Sequence, residues 1–497
     1  MADQPQQLSE RFADVQLDEN PFGDLLEKEF RVKDAEKGNA IGDAVSTLAQ
    51  AALQNVATVS DNVLGTIEGM IAELDRRLSQ QMDAILHHAD FQQLEGSWRG
   101  LHHLCNNTET DETLKIRVLN VTKNELRKEL AKNRGAKFDN SLIFKKIYED
   151  EYGTPGGEPY GALVGDYYFD HTAPDVGLLG DLAQVASAAH APFIAGAAPK
   201  VMDMESWQEL PEKRDITQVF GSPEYAPWRS LRDREDSMYV GLAMPRVLSR
   251  LPYGPETNPV DDFAYIEETG KGDHDKYTWM NAAYAMATNI TRAFKTYGWC
   301  TRIRGVESGG MVEGLPVHTF PSDDGGTDMK CPTEIAITDR REAELAKNGF
   351  MPLSHWKNTD YAVFVGAQSL NKPKEYEDSD ATANANLSAR LPYLFSTCRF
   401  AHYLKCMVRD KIGSFKERDD MEKWLNNWIT QYVTTDPSAG EETKARYPLA
   451  AAEVKVQEVE GNPGYYTSQF FLRPHYQLEG LTASLRLTSR LPSEKGG

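Results

Sequence analysis

Between residues 114 and 365 short apolar runs alternate with helix-forming stretches, and that alternation leaves few folds open to the chain. The runs at 114–121, 162–169, 192–197, 238–244, 301–306, 334–338 and 361–365 read as strands, being short and separated by helical segments. A strand that is followed by a helix and then a second strand tends to rejoin the same sheet in the same direction. The expectation is therefore an α/β domain over residues 111–385 with a mixed, largely parallel sheet. Local signals agree. Thr122 with Glu125 forms a capping box, so a helix should start just after the first run. Asp339 can cap a helix that runs to Lys347, and Asn348-Gly349 can stop it.

The flanks differ from this core. Residues 1–40 are acidic and polar with few large apolar side chains, the composition of a flexible N-terminal arm. Residues 41–110 read as a helical region. Leu64, Ile67, Ile71, Leu74, Leu78 and Ile85 recur at three, four and seven, which draws one apolar stripe down a helix. Nearly three heptads of stripe can pair with another helix, either of the same chain or of a partner. Residues 386–497 should hold an inner helix and a β domain. A helix is expected from about 397 to 412, ending at Gly413. Ser414 with Glu417 repeats the capping box. The helix that follows carries Met421, Trp424, Leu425, Trp428 and Ile429 on one face. Extended runs at 453–460 and 465–472 flank the turn Gly461-Asn462-Pro463-Gly464. A final run, 481–490, alternates strictly, with Leu481, Ala483, Leu485 and Leu487 on one side. Such a terminal strand can stay in its own sheet or be lent to another chain.

Composition narrows the function. Lys and Arg number 54 against 75 Asp and Glu, a net of −21, which disfavours nucleic acid or an anionic membrane as the main partner. The five cysteines are scattered without a Cys-x-x-Cys pair, which fits a reducing cytoplasm and argues against a disulfide scaffold. The N-terminus is polar, unlike a signal peptide. The one long uncharged run, 182–199, is broken by Pro192 and Pro199, so membrane insertion is not expected.

Catalytic motifs are weak. There is no phosphate-cradling Gly-x-x-x-x-Gly-Lys-[Ser/Thr] and no Gly-x-Gly-x-x-Gly after a strand. Gly305, Gly309, Gly310 and Gly314 form a glycine-rich stretch, yet Glu307 and Glu313 would repel phosphate, so it reads as a turn. The pairs His87-His88 and His102-His103 offer at most one metal ligand per helix face. Asp323-Asp324-Gly325-Gly326 lacks the spacing of a calcium loop. Cys331 precedes Pro332 with no base nearby in the sequence. No catalytic, cofactor-binding or metal residue is assigned. One feature stands against the acidic background. Residues 390–425 carry eight Lys/Arg and five Asp/Glu, a net of +3. On a helical wheel His402, Lys405 and Arg409 share a side with Arg399 at its margin, while Phe400, Leu404 and Met407 lie opposite. That side is either a solvated face or a docking face for an acidic partner.

Longer runs carry a resemblance. They begin with Leu-Glu-Gly-Ser-Trp-Arg-Gly-Leu at 94–101, Asn-Asn-Thr-Glu-Thr at 106–110 and Leu-Lys-Ile-Arg-Val-Leu-Asn-Val at 114–121. Leu-Val-Gly-Asp at 163–166, Ala-Ala-His-Ala-Pro-Phe-Ile-Ala at 188–195 and Tyr-Gly-Trp-Cys-Thr-Arg-Ile-Arg-Gly at 297–305 follow in order. Then come Glu-Gly-Leu-Pro-Val-His-Thr-Phe at 313–320 and Cys-Pro-Thr-Glu-Ile-Ala-Ile-Thr-Asp-Arg-Arg at 331–341. Asp-Ala-Thr-Ala-Asn at 380–384, Arg-Asp-Lys-Ile-Gly-Ser at 409–414 and Phe-Leu-Arg-Pro-His at 471–475 complete the set. Over about residues 40–490 the chain resembles the large subunit of the type VI secretion contractile sheath, the TssC/VipB family.

The resemblance implies a phage tail-sheath-like structural protein without enzymatic activity or cofactor. It implies pairing with a small sheath subunit (TssB/VipA-like) and helical polymerisation with neighbouring copies around an inner tube (Hcp-like). It further implies contact with a baseplate, contraction that propels the tube, and disassembly by an AAA+ ATPase (ClpV-like). On this reading Leu64, Ile67, Ile71, Leu74 and Leu78 would meet the small subunit. Arg399, Lys405 and Arg409 would face the inner tube, and Leu481, Ala483, Leu485 and Leu487 would lie on an exchanged strand. The residues by themselves also leave open an α/β enzyme of unknown substrate or a non-contractile scaffold.

Overall fold

The computed structural model describes residues 63–261, 263–269, 273–321, 325–412, 418–436, 438–458 and 466–477. The chain divides into two units, Met1–Ile85 with Tyr253–Glu268, and Leu86–Pro252 with Thr269–Gly497. The expected arm at 1–40, the second capping box at Ser414 and Glu417, the turn at 461–464 and the strand at 481–490 lie outside the described residues.

In the first unit, helix α1 (Val63–Leu86) realises the expected amphipathic stripe. Glu73 pairs with Arg76 at 2.7 Å and with Arg77 at 2.9 Å, one helical turn away. The segment 253–268 joins this helix through the Tyr265 hydroxyl, which donates to Asp83 at 2.7 Å.

The second unit is the α/β core. After α2 (Ala89–Asn106) and α3 (Lys123–Lys132) come β1 (Leu163–Phe169), α4 (Ala173–Ala189), β2 (Phe193–Ala197), β3 (Val240–Met244) and α5 (Ala282–Tyr297). Then follow β4 (Met311–Val312), α6 (Asp339–Lys347), β5 (Phe350–His355) and β6 (Ala362–Phe364). The sheet order is β1-β2-β3-β5-β6-β4. The first four strands are parallel, while β6 runs antiparallel to both β5 and β4. Strand residues alternate between two cores, as a period of two requires. Phe193, Ala195, Val240 and Leu242 pack with Leu178, Leu179 and Leu182 of α4. Ile194 and Ala243 pack with Ala283, Met286 and Ile290 of α5 on the other face. The uncharged run 182–199 is thus the end of α4 and the whole of β2. No helix among the described residues is long and apolar enough to cross a membrane.

Three expected strands do not form. Residues 114–121, 301–306 and 334–338 join no ladder among the described residues. Segment 114–121 is instead held by side-chain contacts, with the Tyr167 hydroxyl donating to the Val121 carbonyl at 2.6 Å and Ile116 packing by Leu104. Conversely, β5 was not foreseen, because Pro352 marks its sequence as poor strand material. The register explains the tolerance. Pro352 is the last partner of β3, opposite Met244, and pairing with β6 begins only at Leu353.

The first recognised motif now has a physical role. On α2, Gly96 and Gly100 are buried. A Cβ at Gly96 would overlap the Trp279 carbonyl oxygen, and one at Gly100 would overlap the Tyr284 ring of α5. The two glycines let a helix lie directly on backbone and ring. Gly100→Ala should lower stability by about 1–3 kcal/mol through overpacking, although alanine favours helix more than glycine does. A urea titration checks this, and an unchanged midpoint would show that the contact can relax.

The last part of the chain holds α7 (Leu391–Asp410), α8 (Arg418–Thr430) and a hairpin of β7 (Leu449–Glu458) with β8 (Tyr466–Pro474). α7 starts six residues before the expected position, with Pro392 in its first turn, where proline suits a helix. Leu425 and Ile429 of α8 join Trp299, Phe400, Leu404, Val454 and Val456 in a separate core. Trp299 stacks on Phe400 with centroids 4.2 Å apart.

Candidate partner interfaces

Among the described residues, the seam on α1 is more open than the basic side of α7. Ile71, Leu78 and Ile85 are 49%, 51% and 42% exposed, and they stand seven residues apart. Leu74 between them is half-buried. Leu64 and Ile67 lie on the same helix, with side chains outside the described residues. An apolar row at heptad spacing on a helix surface is what a second helix buries in a coiled-coil contact.

The basic side of α7 is arranged differently from the helical-wheel expectation. Lys405 donates to the Tyr148 hydroxyl at 2.9 Å and sits 3.6 Å from the Tyr152 ring centroid. Arg409 donates to the Thr154 carbonyl at 3.1 Å and Arg399 to the Pro159 carbonyl at 3.4 Å. His402 is buried, and its Nε2–H donates to the Ala189 carbonyl at 2.8 Å. The three half-buried cations hold the π-helical segment Lys145–Gly153 and the residues after it against α7. They could serve a partner only by leaving or sharing these acceptors.

Two carboxylates, one mostly and one fully buried, act as anchors that the sequence does not single out. Glu95 of α2 accepts from Arg250 at 2.6 Å, Arg99 at 2.7 Å and Thr278 at 2.9 Å. The side chain of Glu334 is 1% exposed. It accepts from Arg246 at 2.5 and 2.9 Å and from His274 Nε2 at 3.1 Å. Burial alone would raise its pKa, but the His274 and Arg246 hydrogen bonds outweigh burial and hold it at about 2. Both glutamates fall inside the runs 94–101 and 331–341, and each ties its own segment to a distant one, Glu95 to Arg250 and Glu334 to Arg246.

Cys331 does have a base beside it, which corrects the expectation from sequence. Burial would raise its thiol, but hydrogen bonds from His355 and Thr333 bring it below the ordinary cysteine value. His355 in turn donates Nε2–H to the Thr359 carbonyl at 2.9 Å. The base came from β5, the strand that was not foreseen. His88 caps α2, accepting from the Asp90 amide at 3.3 Å. His102 and His103 face Asn106 and Asn107, four residues on. Gly305, Gly309 and Gly314 all take positive φ, the backbone of a turn.

Comparison with known proteins decides what this arrangement belongs to. The family model VipB, described as EvpB/VC_A0108, tail sheath N-terminal domain, matches residues 68–371. A second model, EvpB/VC_A0108, tail sheath gpW/gp25-like domain, matches residues 380–491. The chain belongs to the VipB tail sheath family. It is 66% identical over 475 residues to the type VI secretion system sheath protein TssC1 of Pseudomonas aeruginosa, covering 95% of each chain. Weaker likenesses are to two cryo-EM structures of the anti-feeding prophage. One is its baseplate, at 12% identity and TM-score 0.38, covering 76% of this chain and 84% of that one. The other is its contracted helical sheath, at 12% identity and TM-score 0.27, covering 63% and 75%. This member of the VipB family is a structural sheath protein of a type VI secretion system.

Proposed function

We propose that this chain is the large subunit of a contractile sheath and pairs with a small sheath subunit through the seam of α1. The observation that carries the pairing is the exposed heptad row Ile71, Leu78 and Ile85. The heterodimers stack by a heterologous contact, which does not close on itself and therefore grows into a helical tube. Such a tube surrounds an inner tube, starts on a baseplate and lies in the cytoplasm. Contraction then releases the free energy difference between two lattice states, and no nucleotide is consumed by the subunit. An AAA+ ATPase afterwards recycles the contracted lattice.

Lattice contacts in this reading come from the chain ends. The β7–β8 hairpin is a two-stranded sheet, and such sheets gain stability when further strands are added. The alternating run with Leu481, Ala483, Leu485 and Leu487 is suited to supply one, to its own hairpin or a neighbour's. An inner-tube face containing Arg399, Lys405 and Arg409 would draw on the donors that these cations have left over. The acidic arm at 1–40 is taken to tether neighbours. Deleting residues 1–30 should abolish long sheaths while leaving heterodimers intact by size exclusion. Sheaths of normal length from that deletion would remove the arm from the account.

A further inference from the structure

The second unit carries a basic cleft that none of these contacts uses. Residues 213–218 and α6 form its walls, and it has a volume of about 420 Å³. Of its two carboxylates, one is paired with a cation and the other caps the wall while keeping its charge. Glu344 accepts the Ile216 amide at 2.7 Å with one oxygen and pairs with Arg341 at 2.8 Å with the other. Asp215 accepts from the Thr217 and Gln218 amides at 2.9 and 3.3 Å. Arg214, Arg340 and Lys347, in contrast, line the cleft with exposed side chains that have no ion pair or hydrogen bond among the described residues. Three unpaired cations against the single unpaired carboxylate of Asp215 thus line one cleft of a chain whose net charge is −21.

Spacing selects the kind of anion. Arg340 and Lys347 lie on one face of α6 seven residues apart, about 10 Å along the axis at 1.5 Å per residue. One phosphate or one carboxylate cannot reach both. Ala343 between them leaves the floor of the cleft free of bulk. Arg214 stands on the facing wall, so an inserted segment would meet charge from both sides. We propose that this cleft docks an acidic peptide segment of a partner protein, one that presents at least two carboxylates about two helical turns apart. Complementary charge is what recommends this occupant, and the net negative charge of the chain disfavours such a segment over most of the rest of it. The proposal does not depend on α1 being the pairing helix.

Fluorescein-labelled octaglutamate, titrated by anisotropy into the full-length chain at low salt, tests it. Octaglutamate should bind while octaglutamine does not, and moderate salt should weaken binding about tenfold through screening. The double variant Arg340→Glu, Lys347→Glu should weaken it at least tenfold with the melting temperature unchanged. Arg214→Gln, which alters the other wall, should weaken it by a smaller factor. Lys128→Glu, Lys132→Glu makes the same charge change on α3 and should leave binding intact. No binding of octaglutamate would overturn the proposal. So would equal weakening by the α3 variant, which would make the effect one of net charge. Displacement of octaglutamate by inorganic phosphate at equal charge concentration would also overturn it, making the cleft a small-anion site.

Discussion

Ile71→Asp combined with Leu78→Asp should abolish co-purification of the small sheath subunit while the α/β unit melts as before. Each side chain is about half exposed in this chain, so its replacement costs the chain itself little. In a docked helix pair the same two positions are buried. There each loses roughly 1.5–3 kcal/mol of apolar burial and adds an unpaired carboxylate, costing several kcal/mol more. The sum exceeds about 5 kcal/mol, or more than roughly a thousandfold in affinity. Pull-down of the co-expressed pair measures this directly. Retained pairing would mean that the small subunit docks elsewhere. Lost pairing together with a large fall in melting temperature would mean that the row packs within the chain.

The second large effect concerns stability. Glu334→Gln removes the buried carboxylate on which the half-exposed Arg246 guanidinium and the buried His274 Nε2–H converge. Removing one partner of a fully buried ion pair costs about 3–5 kcal/mol; with Arg246 partly solvated about 1–3 kcal/mol is expected, a melting point lower by a few degrees. Acidity should act in the same direction. Glu334 is held at about 2, so its contribution is full above the ordinary carboxylate range and is lost as pH falls toward 2. Burial pushes His402 down to about 4, so the unfolded chain takes up that proton first and stability declines as pH falls from about 6.5 to 4. Melting temperatures across pH 7 to 3 should therefore show two losses for the parent chain. His402→Gln should shrink the upper one, to which the lowered His103 and His190 also contribute, and Glu334→Gln should shrink the lower one, which Glu95 and Asp170 share. A flat profile in the parent would contradict both assignments.

The parts of the fold that sequence made legible are those fixed by near neighbours. Thr122 and Glu125 form the capping box in the structure, each side chain bonding the other's backbone amide. Leu425 and Ile429 point into the core as their helical spacing requires. The extended runs expected on either side of residues 461–464 do pair, β7 with β8, from Leu449 opposite Pro474 to Glu458 opposite Tyr466. What stayed hidden depends on partners far along the chain. Lys405 looked like a free cation because the Tyr148 and Tyr152 rings that receive it lie over 250 residues earlier. Cys331 looked isolated because His355 reaches it only through β5, whose Pro352 concealed the strand. Helical spacing can show that Arg399, Lys405 and Arg409 share a side, but not what covers that side. The family runs were legible as a resemblance, yet only the structure shows that Gly96, Gly100, Glu95 and Glu334 are there for close approach and buried pairing.

On the proposed function, work comes from a lattice of these chains and not from a site within one. Electron microscopy of the chain co-expressed with its small subunit tests it most directly. The account predicts long, helically striated tubes with a hollow centre wide enough for an inner tube. Discrete globular particles of fixed size, with both proteins present and folded, would contradict it.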